Sequence, residues 1–484
     1  MSNTVNRGRV AGPKGFRDLR GQDLERRDRM VASILDVTRL YGCERLETPS
    51  VEAAGAIGSW LPDVDRPNAG VFAWEAEDER LALRFDLTAP LARFVVEQGQ
   101  SLPLPWRRAS SGPVWRNEKY GPGRFREFWQ CDMDIVGSDE MLADVEIIEM
   151  FGRALLAAGL PADSLEIRIG SRLALDGLIE MLGSECNALV SGIARCIDKL
   201  DRLGMDGVLA LLGEGRRDES GAFEAGLCLP PAKCALVRRF LEAGTLEDLS
   251  ALIGDTRPGT IAVAQIQQAI EMVGDGAGIP LRVDQTVVRG LGYYTGLVFE
   301  AEVTSEIRDT KGRVRRVGSV GGGGRYDGLA GQINGRKIGA VGASVGIDRV
   351  LAILDLMGIQ SRRAEMRPVL VALPDQASLT PAREMVRELR AVGIVAEVYS
   401  GSSTNLGRQL KYADRRGAAL VLIQGEEERR TGRVQIKDLD MGAMLSDKVS
   451  REEWMARPQQ DDVPRSDLVA EVLRRLQAGP VIDM

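Results

Sequence analysis

The 484-residue chain contains no histidine. Without an imidazole, histidine general bases, Ser-His and Cys-His nucleophile systems and His-ligated metals are all excluded. Any catalysis must use carboxylates, Arg, Lys, Tyr, backbone groups or the substrate itself. The six cysteines, at 43, 131, 186, 196, 228 and 234, include no Cys-x-x-Cys pair. That argues against a zinc ribbon and against a secreted disulfide framework. No apolar run approaches the roughly 20 residues needed to span a bilayer, and the basic N-terminus lacks the apolar segment of a secretory signal. The expectation is a cytoplasmic protein with no membrane association. What remains, 44% hydrophobic and 27% charged residues, describes a soluble globular chain long enough for two or three domains. The net charge of −7 bears on solubility more than on local recognition. Basic clusters lie at Arg7 to Arg20, around residues 116 to 126, at Lys311 to Arg316 and at Arg408 to Arg416. Each alone is a solvated face; gathered on one side they would make a phosphate track.

The most informative stretch runs from Trp106 to Gly137. It reads as two strands around a turn, with Lys119-Tyr120-Gly121-Pro122-Gly123 supplying the turn chemistry. Alternation sorts the second strand by face. Phe125, Trp129, Cys131, Met133 and Ile135 fall on one side, with Glu127 the exception. Arg126, Phe128, Gln130, Asp132 and Asp134 fall on the other. Such a polar face is either solvated or lines a polar site. Arg116, Glu118, Arg124 and Arg126 around the same turn favour a site, because forked guanidiniums suit polyphosphate and carboxylate ligands.

Trp115-Arg116-Asn117-Glu118, a loop, then Arg124, Phe128 and Asp132 at four-residue steps resembles motif 2 of class II aminoacyl-tRNA synthetases. The run from Arg124 to Asp134 is similar to its version in the histidyl-tRNA synthetase family. Other segments follow in the family's order. A helical pattern from Asp23 to Tyr41, a short strand from Cys43 to Thr48 and Pro49 resemble motif 1, which lies at the dimer interface in this class. Leu81 to Pro90 alternates as one strand with Leu81, Leu83, Phe85 and Leu87 inward and Arg84, Asp86 and Thr88 outward. Val287 to Glu300 is similar to a histidine-specific signature usually reading Arg-Gly-Leu-Asp-Tyr-Tyr, with Gly292 in place of the Asp. Whatever that carboxylate orients is then held differently here. Gly321-Gly322-Gly323-Gly324-Arg325-Tyr326-Asp327 carries neither Gly-Lys-Ser/Thr nor a strand-to-helix context, so it is no phosphate loop. It matches a family segment whose glycines allow close backbone approach to a small ligand. Gly342 to Arg349, leading into a helix, resembles motif 3.

The resemblance implies an α+β catalytic domain built on an antiparallel sheet, the class II synthetase fold. A helical insertion and a C-terminal α/β anticodon-binding domain complete it. The expected boundaries are 1–171 and 277–360 for the catalytic domain, 172–276 for the insertion, 367–455 for the anticodon domain and 456–484 for a polar tail. The four cysteines of the insertion read as core thiols. The implied activity is ligation of L-histidine to tRNA(His) through an ATP-derived adenylate, by a homodimer. The alternative is a non-catalytic relative, a regulatory subunit of histidine biosynthesis, which generally lacks the anticodon domain and the catalytic Arg.

By the same resemblance Arg289 and Arg116 are catalytic. Arg116 meets the α-phosphate and Arg124 the outer phosphates, while Phe128 stacks on adenine with Arg349 opposite. Glu118 reads the adenine amino group or helps hold magnesium. Asp86, Thr88 and Gln130 take the α-amino group of histidine, and Asp134, Tyr293 and Tyr294 surround the imidazole. Mg2+ accompanies the ATP, and no zinc is expected.

Overall fold

The computed structural model describes residues 12–55, 70–121, 123–218, 221–287, 294–308, 314–315, 318–328, 337–359, 367–439 and 460–478. Arg289, Gly292 and Tyr293 lie outside the described residues. The chain divides into two compact units, Met1–Ser361 and Arg362–Met484.

The first unit opens with a helix, Gln22–Leu40, whose Met30, Ile34 and Thr38 recur every fourth residue and are buried. It ends at Gly42, whose φ of 76° only glycine adopts cheaply. Strand β1 is just Glu44–Arg45, shorter than the stretch expected up to Thr48. Strands β2 (Val51–Ala53), β3 (Ala73–Ala76) and β4 (Glu79–Leu83) form a small separate sheet.

Here the structure corrects the sequence reading of Leu81 to Pro90 as one strand. Strand β4 stops at Leu83, and a helix runs from Thr88 to Gln98. Within β4, Ala82 is buried while Leu81 and Leu83 are half-buried, the reverse of the expected alternation. The physical reason is local: Asp86 Oδ1 accepts from the backbone N–H groups of Thr88 and Ala89, 3.0 and 2.9 Å away. A carboxylate on the first free N–H groups starts a helix where the hydrophobic period alone predicts continued strand.

Strands β5 (Trp106–Trp115) and β6 (Glu127–Val136) are the paired ten-residue strands expected around the turn. A helix Met141–Ala157 leads to β7 (Leu165–Ser171). Residues 172 to 273 are mainly helical, with a two-stranded hairpin, β8 (Gly215–Arg217) and β9 (Phe223–Ala225), that periodicity missed. These helices share one hydrophobic core with the sheet: Leu175, Ile179 and Ile266 belong to the same cluster as Met133, Ile167 and Phe299. The expectation of four core thiols in this region holds for Cys186 and Cys196 only. Cys234 is half-buried, and Cys228 is exposed at φ 55°.

Strands β10 (Leu281–Val283), β11 (Leu297–Val303), the short pair β12 (Ile307–Arg308) and β13 (Val314–Arg315), β14 (Gly321–Arg325) and β15 (Ala340–Gly346) follow, the last running directly into the helix Ile347–Leu356. The central sheet has the order β1-β5-β6-β15-β14-β11-β7-β10. Its inner pairs are antiparallel, and only the two end pairs, β1 with β5 and β10 with β7, are parallel.

The glycines of β14 do more than open a ligand approach. On one face Gly321 meets Phe151 and Gly323 meets Phe299, two rings 5.7 Å apart. A Cβ at Gly323 would lie 2.1 Å from the carbonyl oxygen of Gly342 and 2.8 Å from both Ala343 Cα and Phe299 Cζ. Backbone on one side and a ring on the other cannot yield together. Gly323→Ala is therefore expected to destabilise the first unit by about 3 kcal/mol. Thermal unfolding checks it; an unchanged Tm would mean that the strands part freely at this point.

In the second unit, β16 (Val369–Val371), β17 (Ala396–Val398), β18 (Leu420–Ile423), β19 (Arg433–Asp438) and β20 (Gln460–Pro464) form one sheet in the order β17-β16-β18-β19-β20. The first three strands are parallel, as the alternation of strands and helices predicts. The segment read as a polar tail contributes to this fold. β20 pairs along β19, and Leu468 and Val472 of the helix Leu468–Ala478 are fully buried in the domain core. The pattern predicts a helix from Asp467 to Leu476, and it forms; its single apolar stripe gave no sign of where it packs.

Candidate active site

The polar face of β6 is buried, not solvated: Gln130, Asp132 and Asp134 are 8%, 3% and 2% exposed. Residues paired across neighbouring strands share a face, so the register extends each of them sideways. Gln130 lies between Gly112 and Gly346, Asp132 between Ser110 and Ser344, and Asp134 between Arg108 and Gly342. Glycine beside Gln130 and Asp134 keeps the floor of the face low. At Gly342 a Cβ would stand 2.0 Å from Asp134 Oδ1. Further along the row Gly342 pairs with Gly324, against which the ring of Tyr294 rests. The result is a trough of small residues with carboxylates along one wall.

Asp134 is held by two groups that the sequence reading left out. Tyr326, 2% exposed, donates its hydroxyl to Asp134 Oδ1. Arg108, fully buried, brings Nε to 2.9 Å from Asp134 Oδ2 and donates Nη2 to the carbonyl of Leu87 at 3.0 Å. The Arg108 contact is an ion pair without hydrogen-bond alignment, so Asp134 Oδ2 retains capacity to accept. Burial raises the Asp134 carboxyl above its usual range, against the pull of Arg108 and Tyr326. Burial likewise pushes Asp132 up to about 7, with Arg108 opposing and the charge of Asp134 adding to the rise. Tyr326 is raised well above its ordinary value by burial and by the Asp134 charge. The signal that could have found these partners is strand pairing: Arg108 and Tyr326 are recognisable only once β5, β6 and β15 are in register.

Gln130 Nε2 donates to Ser344 Oγ at 2.8 Å. Asp86 commits its Oδ1 to the start of the helix described above, and Thr88 is the first residue of that helix.

At the other end of the same face Phe128 pairs with Val114. The Arg116 guanidinium lies 4.4 Å from the Phe85 ring centroid and 5.1 Å from that of Phe128. Its Nε donates to the Phe85 carbonyl at 3.4 Å, and its backbone N–H donates to the carbonyl of Arg126 at 2.8 Å. Arg124 and Glu118 are paired with each other across the turn, and Arg126 Nε donates to the Glu118 carbonyl at 3.1 Å. Arg349, in the first turn of its helix, donates Nη1 to the Ser319 carbonyl at 2.5 Å. Its neighbour Asp348 accepts from the backbone N–H of Trp129 at 2.7 Å and pairs with Arg17, tying this helix to β6 and to the N-terminal segment. One strand thus carries Phe128, Gln130, Asp132 and Asp134 in line, while Arg116, Arg124 and Glu118 gather at its turn end. Among the described residues no group of three or more Cys, Asp or Glu side chains is set to hold a metal ion.

A family model described as Histidyl-tRNA synthetase matches residues 15–350, and one described as Anticodon binding domain matches residues 368–474. The chain belongs to the histidyl-tRNA synthetase family. It is 48% identical over 482 residues to a histidine–tRNA ligase of Paracoccus denitrificans, spanning 96% of this chain and 97% of the relative. A histidine–tRNA ligase of Caulobacter vibrioides is 43% identical over 490 residues, spanning 99% and 98%. The fold is similar to a crystal structure of histidyl-tRNA synthetase from Nostoc sp., with a TM-score of 0.70 at 24% identity, covering 96% of this chain and 99% of that one. A Bacillus halodurans structure described as an ATP phosphoribosyltransferase regulatory subunit/histidyl-tRNA synthetase matches with a TM-score of 0.65 at 22% identity, covering 84% and 96%.

Proposed function

We infer that the chain is a histidine–tRNA ligase that activates L-histidine with ATP to histidyl-adenylate and transfers the histidyl group to the 3′ end of tRNA(His). The observation that carries this reading is the order of groups along β6: the buried carboxylate of Asp134, then Asp132 and Gln130, and the Arg116 guanidinium near Phe128 at the far end. The alternative, a regulatory subunit, is disfavoured by the full-length ligase relatives, by the second unit and by Arg289 in the signature segment.

In the first step the histidine carboxylate attacks the α-phosphorus and pyrophosphate leaves. Both reactants are anionic, so the main tasks are alignment and offsetting charge at phosphorus. Arg116 takes the α-phosphate, Arg124 the outer phosphates, and Phe128 the adenine with Arg349 opposite. The resemblance assigns Arg289 to the α-phosphate and the substrate carboxylate. Asp134 Oδ2 accepts from one ring N–H of histidine, Tyr294 meets the other ring nitrogen, and the resemblance assigns Tyr293 to the same ligand. Gln130 receives the α-amino group, bordered by Asp86 and Thr88. Mg2+ comes with the nucleotide. One or two carboxylates beside phosphate oxygens hold it adequately, and Glu118 at the turn is the carboxylate offered there; the ion supplies neutralisation of the outer phosphates.

The enzyme acts in the cytoplasm as a homodimer. Exposed Leu40 and Val51, on either side of the motif 1 strand, support an interface there, and among the described residues no helix is long and apolar enough to cross a membrane. The second unit takes the anticodon arm of the tRNA.

The test is ATP–pyrophosphate exchange with each of the twenty amino acids. Histidine alone should support exchange, exceeding every other amino acid by at least roughly 10³-fold, because analogues leave buried acceptors unpaired. Absence of histidine-dependent exchange would remove the ligase reading.

A further inference from the structure

Arg84 follows β4 and is 3% exposed. Its backbone is fixed on both sides: the N–H donates to the Ser50 carbonyl and the carbonyl accepts from the Trp115 N–H, each at 3.0 Å. Along the side chain, Nε donates to the Pro113 carbonyl at 2.9 Å and Nη1 to the Thr48 carbonyl at 2.7 Å. Nη2 makes no hydrogen bond to a described residue, and no carboxylate among those residues lies within ion-pair distance of the guanidinium. Glu47, Asp132 and Glu52 act on it only through space, against the pull of burial. The other three buried guanidiniums among the described residues are all paired: Arg108 with Asp134, Arg168 with Glu300 and Arg325 with Asp144. A buried cation left without a counter-ion is costly unless a ligand supplies the anion.

The place of Nη2 says which anion. A Cβ on Gly112 would stand 2.4 Å from it. Gly112 pairs with Gln130, so that Cβ would point into the trough. Nη2 therefore lies on the trough floor, on the β5 flank of Gln130. Phe128, with the Arg116 guanidinium near it, is one same-face step along β6. Under the ligase reading above, the α-amine of histidine is at Gln130 and the α-phosphate at Arg116. What lies between them in the reacting pair is the carboxylate of histidine.

We propose that Arg84 is a further catalytic residue, whose Nη2 holds the α-carboxylate of histidine by the oxygen that does not attack phosphorus. The inference rests on the ligase reading, which gives that carboxylate one cation, Arg289, and leaves Arg84 without a role. In activation the other carboxylate oxygen bonds to phosphorus as pyrophosphate leaves, and the held oxygen becomes the carbonyl oxygen of the adenylate. In transfer a ribose hydroxyl of the tRNA adds to the carbonyl carbon, and the C=O electron pair moves onto the held oxygen. The pair returns as the bond to AMP breaks, and the hydroxyl proton leaves on the AMP phosphate. A donor already aimed at that oxygen stabilises the charge it acquires.

L-Histidine is compared with L-histidinol, which keeps the ring and the amine but has a hydroxymethyl group in place of the carboxylate. Arg84→Gln should weaken histidine about 100-fold and histidinol by less than about threefold. Gly112→Ala leaves Arg84 in the chain but puts a methyl group where Nη2 lies. It should weaken histidine about tenfold with the same sparing of histidinol, and it carries the test if Arg84→Gln fails to fold. Single-turnover transfer from preformed histidyl-adenylate to tRNA should slow about 100-fold in Arg84→Gln.

Equal weakening of histidine and histidinol would make Arg84 a structural tie between the Thr48 and Pro113 carbonyls, and overturns the proposal. Unchanged histidine binding overturns it too; if ATP binding alone has then weakened, the anion on Nη2 is the α-phosphate. Transfer at the wild-type rate overturns the role of Arg84 at the held oxygen. If wild-type protein binds neither histidine nor histidinol and supports no exchange, the ligase reading fails and this inference with it. Retained exchange together with unselective losses fails the inference alone.

Discussion

Asp134→Ala should raise the KM for histidine roughly 10³-fold in pyrophosphate exchange and leave the KM for ATP within about threefold. The size follows from what the substitution strands. Asp134 Oδ2 is the acceptor available to a ring N–H, and its loss leaves that donor buried without a partner. A site built to hydrogen-bond its substrate loses several orders of magnitude when one such pair is removed. The same change leaves Arg108, fully buried, without its counter-ion, and leaves Tyr326 without its acceptor. Breaking a buried pair from one side costs about 3–5 kcal/mol, so Tm should fall as well, and the kinetics must be run well below the new midpoint. Asp134→Asn separates the two effects, since the amide oxygen can still accept from Tyr326 while the charge is gone. Parallel increases in the KM for histidine and for ATP would contradict an imidazole site at this end of β6.

The polar face of that strand was legible in the sequence because alternation is a property of a single strand. Gln130, Asp132 and Asp134 could be sorted from Cys131, Met133 and Ile135 without knowing any neighbour. Whether such a face is wet or buried is not a property of one strand, and here the register decides it by bringing Gly112, Ser110 and Arg108 alongside on one flank and Gly346, Ser344 and Gly342 on the other. Arg108 reads as a surface cation in isolation and is fully buried in the fold. Tyr326 stood next to a noticed glycine run, yet its partner lies 192 residues away. The opposite failure occurred at Asp86. There a genuine alternation continued past the end of β4, and a side-chain cap on two backbone N–H groups outweighed it. The glycines of β14 were expected to serve a ligand; Gly324 meets the Tyr294 ring, while Gly323 is packed against neighbouring backbone and Phe299. The helix expected from Asp467 to Leu476 forms as Leu468–Ala478, but its burial was not legible because it depends on a sheet formed mostly by residues far upstream.

Arg116→Lys should be nearly as damaging as Arg116→Ala, each lowering kcat of the exchange reaction roughly 10³-fold with the KM for histidine within about threefold. Lysine restores the charge, so a purely Coulombic role would be largely rescued. The environment argues for shape. The guanidinium lies near two aromatic rings, 4.4 Å from Phe85 and 5.1 Å from Phe128, with Nε directed at the Phe85 carbonyl. A planar cation stacks in such a setting and keeps its remaining N–H groups in a fixed fork, whereas an ammonium on a flexible stem is hydrated and unaligned. Donors aimed in advance at charge developing on phosphorus act mainly on the transition state, and losing one typically costs 10²–10³ in kcat. Loss of the stack should also let Phe128 move, which compounds the defect at the adenine end. The loss should therefore fall on kcat, with the proposed imidazole contact at Asp134, three same-face steps from Phe128, unaffected. A lysine variant within tenfold of wild type would mean that charge alone suffices, and would detach the ring stack from the chemistry.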